Sequence, residues 1–242
     1  ARGLEAGAGR EALLRKARLT KELALAAPMR DGLFPAVIGT ENDVFEVGGR
    51  SLTARHFVIA TGSRPSVPPI PGLAGVPFLT NETIFALREN VPHLLLIGGG
   101  PIGCEMAQAF RRLGSEVNVI DVATGILPRE DRDLAGVVQR TLEQEGVRFH
   151  LDVRIESVGG AQGDLRMTIR ESDGTARTLT GTHLLLATGR RANVEGLGLD
   201  AAGVQVDHGR IVHTNLATTN PRISVIGDAA GGYQFTHVAE HH

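Results

Sequence analysis

One eleven-residue pattern occurs twice in the chain. Leu52 to Gly62 reads LTARHFVIATG, and Leu179 to Gly189 reads LTGTHLLLATG. In both copies an apolar run ends in Ala-Thr-Gly, which is typical of a buried strand followed by a glycine that lets the backbone approach a ligand. The repeat therefore predicts two similar units, each with a ligand site at the end of a buried strand.

A glycine-rich segment lies between the two copies. Gly98 to Gly103 reads GGGPIG and follows the apolar run Leu94–Ile97, so it satisfies the pattern G-x-G-x-x-G. That pattern also occurs by chance, and its context must decide. Ile102–Leu113 carries apolar residues at helical spacing, Gly114 stops the helix, and Val117–Ile120 predicts the next strand. Strand, glycine turn, helix and strand together predict a Rossmann-like dinucleotide-binding unit.

Each position of the glycine segment has a predicted task. Gly98 makes the turn, Gly100 admits the phosphates, and Gly103 lets the helix pack close to the strand. Pro101 and Ile102 stand at the predicted helix N-terminus, where the free N–H donors of the first turn and the helix dipole favour a pyrophosphate.

Asp121 directly follows the second strand, close to the spacing of about 20 residues expected for the acid that binds the adenosine ribose. Its carboxylate accepts hydrogen bonds from ribose hydroxyls, whereas a 2′-phosphate would meet like charge. Val122–Pro128 contains no Arg or Lys. We therefore expect NAD(H), with NADP(H) disfavoured unless the loop folds Arg129 back to the ribose.

Composition excludes several classes of protein. The chain of 242 residues has a net charge of −2 and no basic excess, which argues against a nucleic-acid partner. No apolar run approaches the ~18 residues of a membrane span, and no signal peptide is recognisable, so we expect a cytoplasmic protein with no membrane partner. The single cysteine excludes an intrachain disulfide and a cysteine metal cage, and we predict no metal site.

That cysteine, Cys104, follows Gly103 near the predicted helix N-terminus, where the dipole could activate a thiol. We expect instead a small, buried and unreactive helix residue, with the neighbouring carboxylate of Glu105 opposing thiolate formation.

Other segments complete the secondary-structure prediction. A glycine pattern at Gly7–Ala12 is discounted because no strand precedes it. The remaining predictions are a helix at Glu11–Ala27, an extended segment at Val44–Val47, a stiff proline-rich connector from Pro65 to Pro77, an amphipathic helix marked by Leu134, Val137, Val138 and Leu142, a meander of Asp152–Val158, Leu165–Arg170 and Ala176–Leu179, and a strand at Ile223–Ile226. The acid after this last strand, Asp228, suits a ribose or ribityl hydroxyl, or it caps a helix starting at Ala229.

Several motifs in order resemble the FAD-dependent pyridine nucleotide-disulfide oxidoreductases, in particular their mercuric reductase-like and dihydrolipoamide dehydrogenase-like members. They are Ala60–Pro65, Gly98–Glu105, Ile126–Asp131, Ala187–Arg190 with Asn193, Thr219–Asp228, and Phe235–Ala239.

The resemblance implies an α/β fold in which a three-layer Rossmann-like NAD-binding domain with a β-meander is inserted in an incomplete FAD-binding domain. Residues 1–75 and 193–242 would be the two FAD-domain segments, and 76–192 the NAD-binding domain. Thr61, Gly62, Gly227 and Asp228 would bind FAD, and Gly189 would line the NAD site. Glu105 would stand near the nicotinamide and flavin, although on sequence grounds it could equally complement the helix dipole as an early-helix acid.

Several features of that family are absent from this sequence. The N-terminal FAD glycine motif, the redox C-x4-C pair and the C-terminal interface domain are missing, which indicates a fragment. The resemblance implies a parent enzyme, expected to be a homodimer, that transfers hydride from NADH to FAD and on to a disulfide or related acceptor. The alternatives are a nucleotide-binding module without turnover and a flavoprotein reductase lacking a redox disulfide. No residue of this chain is predicted as a catalytic acid, base or nucleophile.

Overall fold

The computed structural model describes residues 54–242 and, before them, the backbone of three short strands. These are β1 (Ala36–Gly39), β2 (Val44–Val47) and β3 (Arg50–Thr53), which pair antiparallel in that order. β2 coincides with the extended segment predicted from the sequence. The helix predicted at Glu11–Ala27 lies outside the described residues.

The chain divides into two compact units. One is continuous, Ser63–Arg191, and is called the sheet unit below. The other, called the split unit, joins the described residues up to Gly62 with Ala192–His242. The strand β4 (Phe57–Ile59) precedes the boundary between them.

The sheet unit contains two α-helices and eight complete strands. In chain order they are β5 (Ser63–Pro65), β6 (His93–Ile97), α1 (Pro101–Arg112), β7 (Glu116–Ile120), α2 (Arg132–Gln144), β8 (Arg148–His150), β9 (Arg154–Ala161), β10 (Asp164–Arg170), β11 (Ala176–Gly181) and β12 (His183–Leu186), with β13 (Arg190–Ala192) ending at the boundary.

A parallel sheet forms the centre of this unit, in the order β12-β6-β7-β8. The helices α1 and α2 pack on one face, and the antiparallel meander β11-β10-β9 packs on the other. Because both faces are covered, β6 is an uninterrupted apolar run, and Leu94, Leu95 and Leu96 are all 0% exposed. The three-layer, Rossmann-like α/β fold predicted from the sequence is confirmed.

The helix α1 begins and ends within one residue of the predicted segment Ile102–Leu113. Pro101 is its first residue, a position where the missing N–H and fixed φ of proline favour a helix start. Gly114 follows its end with a φ of +99°, the left-handed conformation that glycine adopts readily. Leu113, expected on the apolar face, is instead 74% exposed, because it already lies at the cap.

The helix α2 is present, but its buried face differs from the predicted one. Leu142 is buried, whereas Leu134, Val137 and Val138 are exposed. Ala135 fills the inner position instead. The predicted amphipathic helix is therefore present, but of the four apolar residues that marked it only Leu142 is in the core.

The proline-rich segment belongs to the sheet unit. Leu73 and Val76 are buried with the meander side of the sheet. A Cβ on Gly72, whose φ is +83°, would lie 1.9 Å from the carbonyl oxygen of Val158. This part of the segment is therefore packed against the meander through a glycine that allows the close approach.

The split unit has a smaller core around a second sheet. Its remaining elements are β14 (Val206–Asp207), β15 (Arg210–Ile211), β16 (His213–Thr214), β17 (Ala217–Thr218), β18 (Ile223–Val225) and α3 (Thr236–His241). The sheet order is β16-β17-β18-β4, with β18 and β4 parallel. β18 ends one residue before the predicted strand does. The core residues include Ile59, Leu197, Val204, Ile223 and Val225.

Candidate functional site

Two glycines after β6 are required by the protein's own packing. Gly98 has a φ of +112°, and a Cβ on it would lie 2.3 Å from the carbonyl oxygen of Ala187. A Cβ on Gly103 would lie 1.9 Å from the carbonyl oxygen of Gly98. No side chain fits at either position, so the turn and the approach of α1 to β6 both depend on glycine.

Gly100 differs from these two because its surroundings are open. A Cβ on Gly100 would have nothing within 4 Å. Its φ of −74° and ψ of −175° are accessible to any residue, so the protein's own fold does not require a glycine there. The fold would tolerate a side chain at position 100. A glycine there is therefore consistent with a ligand that occupies the open space.

The N-terminus of α1 has no side-chain cap, whereas that of α2 does. At α2 the carboxylate of Asp131 accepts hydrogen bonds from the N–H groups of Asp133, at 3.0 Å, and Leu134, at 3.2 Å. The uncapped first turn of α1 can offer its N–H groups and dipole to an anion, and it begins directly beside Gly100.

Asp121 lies at the same edge of the sheet, after β7. Its Oδ2 accepts a hydrogen bond from the N–H of Gly99 at 2.5 Å, and its Oδ1 accepts one from the N–H of Ala123 at 2.8 Å. Sequence reasoning predicted Asp121 for the ribose and missed both backbone contacts. Each carboxylate oxygen has a further lone-pair site, so these bonds leave room for a ribose hydroxyl.

The loop after Asp121 folds back onto the glycine turn. Leu127 donates its N–H to the carbonyl oxygen of Gly99 at 2.8 Å, and Ile126 is 1% exposed. The guanidinium of Arg132 lies against Gly125, since a Cβ there would be 2.8 Å from Arg132 Nη1. Arg129, the cation considered from the sequence, is exposed. The cation found beside this loop is therefore Arg132.

Cys104 is buried under the glycine turn, and its thiol donates to the carbonyl oxygen of Gly99 at 3.5 Å. Burial, and then the charge of Asp121, raise the pKa of Cys104 to about 11. A buried, protonated thiol is what the sequence predicts. The opposing carboxylate is Asp121, however, and not the sequence neighbour Glu105.

Glu105 is the fifth residue of α1 and is exposed. The first turn of α1 contains no acidic residue. Glu105 thus lies just beyond the first turn, where the effect of the helix dipole has already fallen off.

The second repeat ends at the same edge. Ala187 donates its N–H to the carbonyl oxygen of Ile97 at 2.8 Å, and Gly189 accepts from the N–H of Ser66 at 2.9 Å. Gly189 has a φ of +95°, and a Cβ on it would have nothing within 4 Å. Because β12 and β6 are parallel neighbours, their carboxyl ends bring Gly189 and the glycine turn to one edge of the sheet.

In the split unit, the first repeat and the Gly227-Asp228 motif also meet at one edge. β4 and β18 pair in parallel, with Val225 beside Ile59, so Thr61, Gly62, Gly227 and Asp228 all follow the carboxyl ends of adjacent strands. The hydroxyl of Thr61 donates to the carbonyl oxygen of Asn193 at 2.7 Å, and the Asn193 amide donates back to Thr61 at 2.9 Å.

Asp228 lies inside the short 3-10 helix Gly227–Ala230, whose N-cap is Ile226. The alternative that Asp228 caps a helix is therefore wrong. Residues 54–242 contain no group of three or more His, Cys, Asp or Glu side chains that could hold a metal ion, and no helix long and apolar enough to cross a bilayer.

The fold and the carboxyl edges of the two sheets define a class of protein. It is an α/β protein with a Rossmann-like unit and a glycine turn at the carboxyl edge of its parallel sheet. Residues 35–242 match the family described as pyridine nucleotide-disulphide oxidoreductase. The chain belongs to that family of oxidoreductases, whose members use FAD and NAD(P)H.

Curated relatives and solved structures agree with this assignment. The chain is 37% identical over 206 residues to a mercuric reductase of Streptomyces lividans, covering 81% of this chain and 41% of the relative. It is 33% identical over 197 residues to a dihydrolipoyl dehydrogenase of Rhizobium etli, covering 80% of this chain and 40% of the relative. The structure of the HOCl-induced flavoprotein disulfide reductase RclA from Escherichia coli matches with a TM-score of 0.74 and 31% identity, covering 84% of this chain and 46% of that one. The chain thus spans less than half the length of these relatives.

Proposed function

We propose that the sheet unit binds NADH at the carboxyl edge of its parallel sheet. The observation that carries the proposal is the open space at Gly100 beside the uncapped N-terminus of α1. A pyrophosphate placed there would accept hydrogen bonds from backbone N–H groups and be stabilised by the helix dipole. It would displace no side chain of the protein.

Other residues at this edge would hold the two ends of the dinucleotide. Asp121 would accept hydrogen bonds from the adenosine ribose, which favours NADH over NADPH because a 2′-phosphate would meet its charge. Gly189 and Glu105 would lie toward the nicotinamide half. Both are exposed, and Gly189 leaves open space where a side chain would stand.

In the complete protein, we propose, the split unit contributes to an FAD site through Thr61, Gly62, Gly227 and Asp228. Bound FAD would supply the hydride acceptor, and the protein's task would be to orient the two cofactors. The parent enzyme would then pass electrons to a disulfide or related acceptor as a cytoplasmic homodimer. The family assignment and the order of the matching motifs support this proposal.

A second candidate is a nucleotide-binding module without turnover when this chain stands alone. It is favoured by Cys104, the one cysteine of the chain, which is buried and protonated and therefore unsuited to exchange with a disulfide. A flavoprotein reductase without a redox disulfide is the remaining alternative. A C-x4-C pair in the longer protein would favour the disulfide reductase over it.

The binding proposal is tested by titrating the 242-residue chain into NADH and following the fluorescence of the reduced nicotinamide. We expect saturable binding that ADP-ribose displaces, and an affinity for NADPH that is at least about tenfold weaker, as unpaired or repelled charged groups would cause. Absence of saturable binding would overturn the proposed site, and equal affinities would overturn the role of Asp121 as the selector.

A further inference from the structure

Gly99, the middle glycine of the turn, is buried and held at both its backbone groups. Its N–H donates to Asp121 Oδ2 at 2.5 Å, and its carbonyl oxygen accepts from the N–H of Leu127 at 2.8 Å and from the thiol of Cys104. The residue that joins β6 to the phosphate-facing Gly100 is thus tied to the loop that follows β7.

The acceptor for Gly99 is specifically a carboxylate. Both oxygens of Asp121 accept a backbone N–H, one from Gly99 and the other from Ala123. A carboxamide has one oxygen and one NH2 group, so an Asn at this position would set its NH2 against one of the two N–H donors. Hydrogen bonds to a charged acceptor are also stronger than those to a neutral one.

We propose that Asp121 is a positioning residue that fixes the glycine turn through Gly99 before any dinucleotide binds, in addition to contacting the ribose. This inference rests on the proposed NADH site. A turn held in its binding geometry in advance spares the ligand the cost of ordering it. Loss of the Asp121 carboxylate should therefore weaken every dinucleotide, including one whose ribose offers Asp121 nothing to bind.

The first test uses the ligand-free chain, so it does not depend on the proposed function. Amide hydrogen exchange at Gly99 is measured by NMR in the wild type, in Asp121→Asn, and in Glu130→Gln, which removes an exposed carboxylate from the same loop. We expect exchange at Gly99 at least about tenfold faster in Asp121→Asn and unchanged in Glu130→Gln. Unchanged exchange in Asp121→Asn would overturn the proposal.

Asp121→Glu is the second variant, in case Asp121→Asn does not fold. It keeps the charge but moves both oxygens away by one methylene group, so it should also release Gly99. Protection of Gly99 equal to wild type in Asp121→Glu would contradict the positioning role, because the present contacts depend on the length of the aspartate side chain.

The second test separates positioning from ribose selection. Affinities are compared for NADH and for an NADH analogue whose adenosine ribose lacks both hydroxyls. Positioning predicts that Asp121→Asn weakens both ligands by about tenfold or more. A loss confined to NADH would show that Asp121 acts only on the ribose, and would overturn the inference. If the wild-type chain binds neither ligand, the proposed function fails, and exchange at Gly99 still decides whether Asp121 positions the turn.

Discussion

Two side chains of opposite charge lie at the loop after β7. The carboxylate of Asp121 is turned toward the N–H groups of Gly99 and Ala123, whereas the guanidinium of Arg132 lies against Gly125. A ligand at this edge would therefore meet an anion at the glycine turn and a cation further along the loop. The balance between these two charges should set how strongly a 2′-phosphate is disfavoured.

Arg132 should supply whatever affinity the chain has for NADPH. We expect Arg132→Gln to weaken NADPH binding by about tenfold with little effect on NADH, since only the 2′-phosphate adds charge near this loop. Arg129→Gln is the matched control, because Arg129 is exposed on the same segment. Calorimetric titrations with both nucleotides measure the effect. If NADPH affinity falls more in Arg129→Gln than in Arg132→Gln, Arg129 and not Arg132 binds the 2′-phosphate.

Cys104 should be unreactive in the native chain. Its pKa is raised from the model-compound value of 9.0 to about 11, so a thiol reagent at neutral pH meets a buried and protonated sulfur. We expect slow labelling that becomes fast in denaturant. Rapid and complete labelling of the folded chain would contradict this.

The same shift has a consequence for stability. Between pH 9 and 11 the folded state keeps a proton that the unfolded chain loses, so stability should fall as the pH rises through this window. Cys104→Ala should remove this contribution. A wild type and a Cys104→Ala variant with equal pH dependence across the window would show that the thiol contributes nothing.

At the scale of elements, the contact of α1 with β6 depends on a single missing side chain. A Cβ on Gly103 would lie 1.9 Å from the carbonyl oxygen of Gly98, and that atom belongs to the backbone, which can move little. Gly100, three residues earlier, has no neighbour within 4 Å of its Cβ position. The two glycines therefore provide a matched pair.

We expect Gly103→Ala to lower the free energy of unfolding by about 1–3 kcal/mol, because α1 must shift away from the sheet. Gly100→Ala should change it by less than about 0.5 kcal/mol. Urea denaturation of the two variants measures the difference. Equal stability of the two would mean that α1 can move without cost.

The elements around the glycine turn could be predicted because their signals are local. The apolar run of β6, the helical period of α1 and Gly114 after it each occupy a short stretch of sequence.

The buried face of α2 could not be predicted from the sequence. Spacing reveals the period of a helix but not which apolar residues contact the sheet, and Val137 faces solvent. The bond from Gly99 to Asp121 also escaped, since it depends on how two loops far apart in sequence fold together. The ligand contacts of the site residues stay predictions.

Each of the two units has its own core and its own proposed ligand site. In the split unit, Thr61, Gly62, Gly227 and Asp228 follow the carboxyl ends of adjacent strands and would contribute to the proposed flavin site. In the sheet unit, the glycine turn, Asp121 and Gly189 would form the proposed NADH site. The two edges differ in how much of a dinucleotide site the described residues supply.

We therefore expect the 242-residue chain to bind NADH but not to retain FAD. The described residues of the split unit include no glycine turn at a helix N-terminus comparable to the one after β6, which would be needed for the FAD pyrophosphate. The chain is purified with excess FAD, desalted and examined by visible absorption. A stoichiometric flavin band after desalting would contradict this expectation.

The proposed NADH site requires that a pyrophosphate occupy the open space at Gly100. Gly100→Asp tests it directly, because Asp is a favourable N-cap residue and its Cβ has free space, so the fold should be at least as stable as the wild type. Its carboxylate would nevertheless occupy the phosphate position and repel the ligand's charge. The measurement is a calorimetric titration of NADH into both proteins, with thermal unfolding as the check on folding. We expect one NADH per wild-type chain and no detectable binding to a fully folded Gly100→Asp; equal binding by the two proteins would contradict the proposed pyrophosphate site.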